Sequence, residues 1–206
     1  MSTRTLVLGT RNRKKCVELE PLLAPYGFSL LTVADLPHAI EVEETGTTFT
    51  ANAGLKAAQQ ARHLHQWVLG EDSGLEVDAL GGAPGVSSAH FAGKHGDDQA
   101  NNALLLQKLQ DVPLEKRGAR YVCHISLADP QGNILIDVED YCRGRIRVTH
   151  AGTAGFGYDP LFEVVEYHKT FGELGLEVKS VLSHRARAVR LFVPKLLDLV
   201  AQGRFA

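Results

Sequence analysis

Hydrophobic residues come in short bursts along this chain, and their spacing separates strands from helices. Leu6-Val7-Leu8, framed by Thr5 and Gly9, is an uninterrupted apolar run that predicts a short buried strand over 5–9. After a polar turn, Val17, Leu19, Leu22 and Leu23 recur at helical spacing until Pro25 and Gly27 end the pattern. Residues 28–33 predict a second strand. A helix follows over 49–65, where Ala53, Ala57 and Ala61 form a small face suited to close packing. Residues 67–69 predict a brief strand running into Glu71-Asp72-Ser73-Gly74, with another strand at 75–77 and a tight loop at 81–85. Asp97 or Asp98 can cap a third helix bearing Ala103, Leu104, Leu106 and Leu109.

Residues 121–128 and 134–148 are strand-like and flank the hairpin signal Pro130-Gln131-Gly132-Asn133. The segment 152–160 is a Gly-rich loop. Ser183 opens a terminal helix with Val189, Phe192, Leu196 and Leu199 on one side, in which Pro194 should force a kink or a split. Strands interleaved with helices, without repeat or linker, predict one α/β domain over 1–206.

Composition and charge narrow the partners. Lys and Arg number 22 against 24 Asp and Glu, a formal charge of −2, and 44% of residues are hydrophobic. That is an ordinary globular composition, which excludes disorder. A binder of duplex DNA or an anionic membrane needs a basic excess, so neither is expected as a partner. The apolar run at 6–8 falls short of a signal core or a membrane span, and Arg11, Arg13, Lys14 and Lys15 follow it. Cys16, Cys123 and Cys142 are odd in number and widely spaced, which suggests neither a disulfide framework nor zinc. The expected setting is a reducing cytoplasm.

Candidate chemistry lies where predicted strands end. Thr10-Arg11-Asn12-Arg13-Lys14-Lys15 joins a strand to a helix start, where free N–H groups attract anions, though it matches neither a P-loop nor a dinucleotide fingerprint. Taken alone, an Arg/Lys-rich turn is more often a solvated surface. Glu43 and Glu44 precede the second helix, with Thr48, Asn52 and Lys56 on one of its stripes; a capping role suits these acids as well. Glu71 and Asp72 could hold a divalent metal or abstract a proton, or could form a plain turn with Ser73 and Gly74. Phe156 and Tyr158 stand on the Gly-rich loop, where a ring face can stack on a base. Lys179, Ser183, His184 and Arg185 offer donors suited to carbonyl acceptors, or simple helix capping.

In order along the chain stand Thr10-x-Asn12-x-x-Lys15-x-x-Glu18, Glu43-Glu44-Thr45-Gly46-x-x-Phe49, Asn52-x-x-x-Lys56 and Asp72-Ser73-Gly74-Leu75. Gly81-Gly82-x-Pro84-Gly85, Phe156-Gly157-Tyr158-Asp159-Pro160 and Ser183-His184-Arg185 follow. The set resembles the inosine/xanthosine triphosphate pyrophosphatase family across nearly the whole chain. The resemblance implies an elongated mixed β-sheet flanked by helices, with two lobes, an active cleft between them, and a homodimer. It also implies Mg²⁺-dependent hydrolysis of aberrant purine nucleoside triphosphates (ITP, dITP, XTP, dXTP) to monophosphate and pyrophosphate.

On the same resemblance, Thr10, Asn12 and Lys15 hold the triphosphate with Lys56, and Arg11, Arg13 and Lys14 belong to the same turn. Glu43 and Asp72 bind Mg²⁺, Asp72 is the base, and Ser73 contacts substrate. Phe156 stacks on the purine, while Gly157, Tyr158, Asp159, Lys179, His184 and Arg185 form the base site. The family usually has Asp where Glu71 stands, so the role of Glu71 is open. Two rival readings are a related pyrophosphatase for other nucleotides and a nucleotide-binding module without catalysis.

Overall fold

The structure is a computed structural model that describes residues 4–205. Seven strands form one mixed sheet in the order β2-β1-β3-β4-β5-β6-β7. Strand β1 (Arg4–Leu8) pairs in parallel with β2 (Phe28–Thr32), Leu6 opposite Leu30, and with β3 (Val68–Val77), Leu8 opposite Leu69. β4 (Gly118–Ala128) and β5 (Ile134–Ile146) follow. The short β6 (Phe162–Val164) is antiparallel to β5 and to β7 (Lys169–Thr170).

Helices α1 (Arg13–Leu23), α2 (Phe49–Leu64), α3 (Asp98–Lys108), α4 (Phe171–Leu182) and α5 (His184–Ala201) flank the sheet. Among the described residues no helix is long and apolar enough to cross a membrane.

The chain divides into two compact units, each built from separated segments. The first takes the chain through Asp72, Cys123–Asp140 and the residues from Arg185 onward. The Leu6-Val7-Leu8 stretch of β1 is uninterruptedly apolar because both of its faces are buried. Leu6 and Leu8 join Leu19, Phe28, Ile125 and the α5 residues Val189, Phe192 and Leu196 on one side, while Val7 joins Ala57, Ala61 and Val68 on the other. The second unit comprises Ser73–Val122 and Tyr141–His184, with a core of Leu75, Leu105, Tyr121, Tyr158, Phe162 and Phe171.

Three expectations change. Glu71-Asp72-Ser73-Gly74 does not end a strand but lies inside the ten-residue β3. A Cβ at Gly70 would lie 2.1 Å from the Ala53 carbonyl oxygen, so the alanine face of α2 rests directly on this strand. Residues 171–182 form a helical segment that the hydrophobic pattern does not reveal, kinked at Gly175 where φ is 76°; Thr170 and Glu173 cap its start reciprocally in the S/T-x-x-E arrangement. Pro194 does not split α5. It sits on the exposed face, where water can satisfy the carbonyl that its missing N–H leaves free.

Candidate functional site

In the first unit, the turn after β1 closes locally. Thr10 Oγ1 accepts from the Asn12 N–H at 3.2 Å, and Asn12 caps α1 by accepting from the Lys14 N–H at 3.0 Å. The first turn of α1 carries Arg13, Lys14 and Lys15 and no acid, the reverse of what a helix dipole favours, so the charge there has an anionic counterpart to meet. Arg11, Arg13 and Lys14 are exposed, and Arg13 pairs with Asp35 at 2.5 Å. Lys15 instead turns inward to Glu71 Oε2 at 2.7 Å.

Alternation along β3 sends Glu71 and Asp72 to opposite faces. The two acids therefore do not share one site, contrary to the paired reading. Glu71 shares its face with Leu69 and meets Lys15 and Arg185; Asp72 shares its face with Gly70 and meets α2.

Arg185 Nε and Nη2 donate to Glu71 Oε1 at 3.2 and 3.1 Å, and Nη1 pairs with Glu18. Cys123 Sγ donates to the same Glu71 oxygen at 3.4 Å. Burial alone would raise the Glu71 carboxyl, but Lys15 and Arg185 outweigh it and hold it well below the usual range. The guanidinium expected at a base is thus fully buried among carboxylates. The sequence signal for this chain of charges was Lys15-x-x-Glu18, one turn apart on α1.

On the other face, Lys56 Nζ lies 2.9 Å from both Asp72 Oδ1 and Glu44 Oε2. Asn52 Nδ2 donates to Asp72 Oδ2 at 3.3 Å. Burial pushes the Asp72 carboxyl above its ordinary value, with Lys56 pulling the other way. Burial would lower the Lys56 ammonium, yet Asp72 and Glu44 hold it raised and charged.

Glu44, and not the neighbouring Glu43, is the acid that faces Asp72 across an ammonium. Glu43 is exposed. Residues 41–46 are neither helix nor turn, and in extended backbone neighbouring side chains diverge. Among the described residues no group of three His, Cys, Asp or Glu side chains could cage a metal by itself. Two carboxylates already flanking a cation nevertheless match the donor chemistry of Mg²⁺, which keeps waters and takes substrate oxygens.

In the second unit, Asp159 organises the Gly-rich loop. Its Oδ2 accepts from the Phe156 N–H at 2.9 Å and from Lys179 Nζ at 2.6 Å. A Cβ at Gly155, where φ is +79°, would lie 2.0 Å from that oxygen, so only glycine allows this approach. Lys179 rides on α4 and stands 4.6 Å from the centroid of the half-buried Phe156 ring.

The Gly157 peptide is held on both sides by α3: Asp98 accepts from its N–H and Asn102 donates to its carbonyl, each at 2.9 Å. Asp98 and Asn102 lie four residues apart on one stripe of α3, among other polar residues that gave the pair no distinct signal in the sequence. Tyr158 does not present its ring. It is a core residue whose hydroxyl donates to the Ser88 carbonyl at 2.9 Å. His184 is buried and stacks on Tyr121 at 4.7 Å. Ser73 is half-buried in β3.

The chain matches the Ham1 family over residues 6–195. A dITP/XTP pyrophosphatase of Rhodopirellula baltica is 58% identical over 195 residues, 95% of this chain and 94% of that protein. The solved Ham1 protein of Staphylococcus aureus is 35% identical with a TM-score of 0.83, covering 95% of this chain and 99% of its own. A nucleoside-triphosphatase / dITP/XTP pyrophosphatase of Mycobacterium abscessus is 42% identical with a TM-score of 0.74, covering 93% and 99%.

Proposed function

The chain belongs to the Ham1 family, and on that premise we propose that it hydrolyses ITP, dITP, XTP and dXTP to the monophosphate and pyrophosphate. The substrate class is supported by relatives named dITP/XTP pyrophosphatase. The chemistry is carried by one observation, a buried Asp72 whose two oxygens each receive a donor and whose proton affinity burial has raised. Such a carboxylate suits a base. It takes a proton from water as the water oxygen bonds to the α-phosphorus and the bond from that phosphorus to the bridging oxygen of pyrophosphate breaks.

Lys15 and Lys56 meet the charge gathering on the departing pyrophosphate. Thr10 and Asn12 shape the turn that receives the phosphates, Arg11, Arg13 and Lys14 line its outer edge, and Ser73 contacts substrate. Phe156 offers a ring for stacking, framed by Gly157, Asp159, Lys179 and His184. Tyr158 anchors the loop from below, and Arg185 acts through Glu71.

A divalent cation belongs to this reading. On the α2 side of β3, Glu44 and Asp72 stand against Lys56, while Glu18 and Glu71 are matched by Lys15 and Arg185 on the other side, so the group around Asp72 is already negative before an anionic triphosphate arrives. Mg²⁺ would be held by Asp72 and Glu44, the latter in the role expected of Glu43, and when bound would polarise phosphate oxygens. A single catalytic domain over 1–206, a homodimer and a cytoplasmic setting complete the proposal; light scattering of the purified chain tests the dimer.

The central test is pyrophosphate release from ITP, XTP, dITP, GTP and ATP, with Mg²⁺ and with chelator. ITP and XTP should be turned over fastest, and Asp72→Asn should lose about 10²- to 10⁴-fold, the usual contribution of a general base. If ATP is turned over as fast as ITP and XTP, the substrate assignment fails. Normal turnover by Asp72→Asn would remove the base role.

A further inference from the structure

Asn52 opens the motif Asn52-x-x-x-Lys56 and lies one helical turn before the lysine that binds Asp72. Its amide is 3% exposed and engaged at both ends. Oδ1 accepts from the Gly46 N–H at 2.8 Å, and Nδ2 donates to Asp72 Oδ2 at 3.3 Å. A backbone N–H requires an acceptor and a carboxylate requires a donor, so the two contacts fix the amide in one orientation. A Cβ at Gly46 would sit 2.6 Å from Oδ1 and 2.6 Å from the Ala51 Cβ, so this approach is open only to glycine.

Three further residues of the same stripe of α2 continue the pattern. Lys56 binds Glu44 at 2.9 Å, Gln60 Nε2 donates to the Ile40 carbonyl at 2.5 Å, and His63 Nε2 donates to the His38 carbonyl at 2.7 Å. The segment 38–46 is thus strapped along the helix in reverse order. Asn52 is the point at which this strap meets β3.

We propose that Asn52 is a positioning residue that ties the acidic segment bearing Glu43 and Glu44 to Asp72, so that Glu44 and Asp72 are presented as a preformed pair. With Lys56 on Oδ1 and Asn52 on Oδ2, the carboxylate plane of Asp72 is fixed, and each oxygen keeps one lone pair for water or a cation. The inference rests on the assignment of Asp72 made above. Loss of such a supporting partner typically lowers activity by about 10- to 100-fold, because the reacting group is no longer held in its productive pose.

Three variants separate the two ends of the amide. Asn52→Asp keeps the acceptor for Gly46 and replaces the donor to Asp72 with a carboxylate. Asn52→Ala removes both, and Gly46→Ala disrupts the strap while leaving the donor. Steady-state kinetics on ITP, scaled to folded protein by thermal melting, are read together with amide hydrogen exchange over residues 43–47 without nucleotide. Asn52→Asp should lower kcat by about 10- to 100-fold with KM little changed and with Gly46 still protected. Asn52→Ala should lower kcat similarly and release that protection; Gly46→Ala should release it and lower kcat less.

If kcat per folded molecule stays within about twofold of the natural chain in both Asn52 variants, the proposal fails while the functional assignment stands. Losses fully explained by unfolding overturn it too, since they assign Asn52 to the fold alone. A natural chain inactive on ITP and XTP removes the functional assignment, and this inference with it.

Discussion

Replacing Arg185 by methionine distinguishes a residue that reads the base from one that holds Glu71 in place. The guanidinium is 2% exposed, and all three of its nitrogens donate to carboxylates. Methionine can fill much of the space but takes a buried counter-charge away from Glu71, which has no exposed surface, and from the 8% exposed side chain of Glu18. Lys15 still lies 2.7 Å from Glu71, so the loss belongs with broken buried ion pairs, about 3–5 kcal/mol, not with the burial of a bare ion.

For a chain of this size each kcal/mol lowers the melting temperature by about 2–4 °C, which predicts a fall of roughly 6–20 °C. Urea denaturation should show a lower midpoint at an unchanged slope. Turnover supplies the second arm. If Arg185 acts through Glu71, kcat/KM for ITP, XTP and GTP should fall by a common factor in the folded variant. A stability loss under about 1 kcal/mol, the level of a surface ion pair, would refute the reasoning, as would a changed ITP-to-GTP ratio at full stability.

Two further outcomes follow from backbone approach and from a capped turn. Gly70→Ala should cost at least about 1–3 kcal/mol and depress turnover, because the added methyl meets backbone atoms of Ala53 and Ala57 and must lift the helix that carries Lys56; thermal melting and ITP kinetics check it. Asp129 accepts from the Gln131 and Asn133 N–H groups and from the Asn133 amide, and these bonds outweigh burial and hold its carboxyl below the ordinary 3.8. Its folded value lies below its unfolded one, so its contribution is complete above about pH 4 and is lost as pH falls through the folded value. Asp129→Asn should therefore lose about 1 kcal/mol at pH 7, with the gap closing toward pH 3 in paired urea titrations.

Much of the fold was legible because burial leaves a period. Leu6-Val7-Leu8 marked β1, and Ala53, Ala57 and Ala61 marked the face of α2 that meets Gly70. The strand β3 was obscured because Asp72-Ser73-Gly74 reads as turn chemistry, while its place in the sheet is set by neighbours distant in sequence. Helix α4 was hidden by Gly172 and Gly175 and by the exposed Leu176 and Val181, which blur any apolar stripe; its Thr170–Glu173 cap was the surviving signal. At the site, spacing brought Lys15, Lys56 and Asp72 forward. It could not show that alternation parts Glu71 from Asp72, that Glu44 rather than Glu43 faces Lys56, or that the Tyr158 ring is turned into the core.

The first unit is completed by segments from far apart in the sequence, and this has a consequence for how the protein is made. Leu6 and Leu8 are covered by Phe192, Val193 and Leu196, and Trp67 stacks on Phe205 at 4.4 Å. At about 5–20 residues per second on a ribosome, the first strand emerges roughly 10–40 s before its covering helix. For that interval an apolar strand and its open edges are exposed to every other nascent chain in the cell. Yield should therefore depend on chaperone supply and translation speed more than on final stability, and messages cut short ahead of α5 should yield insoluble protein.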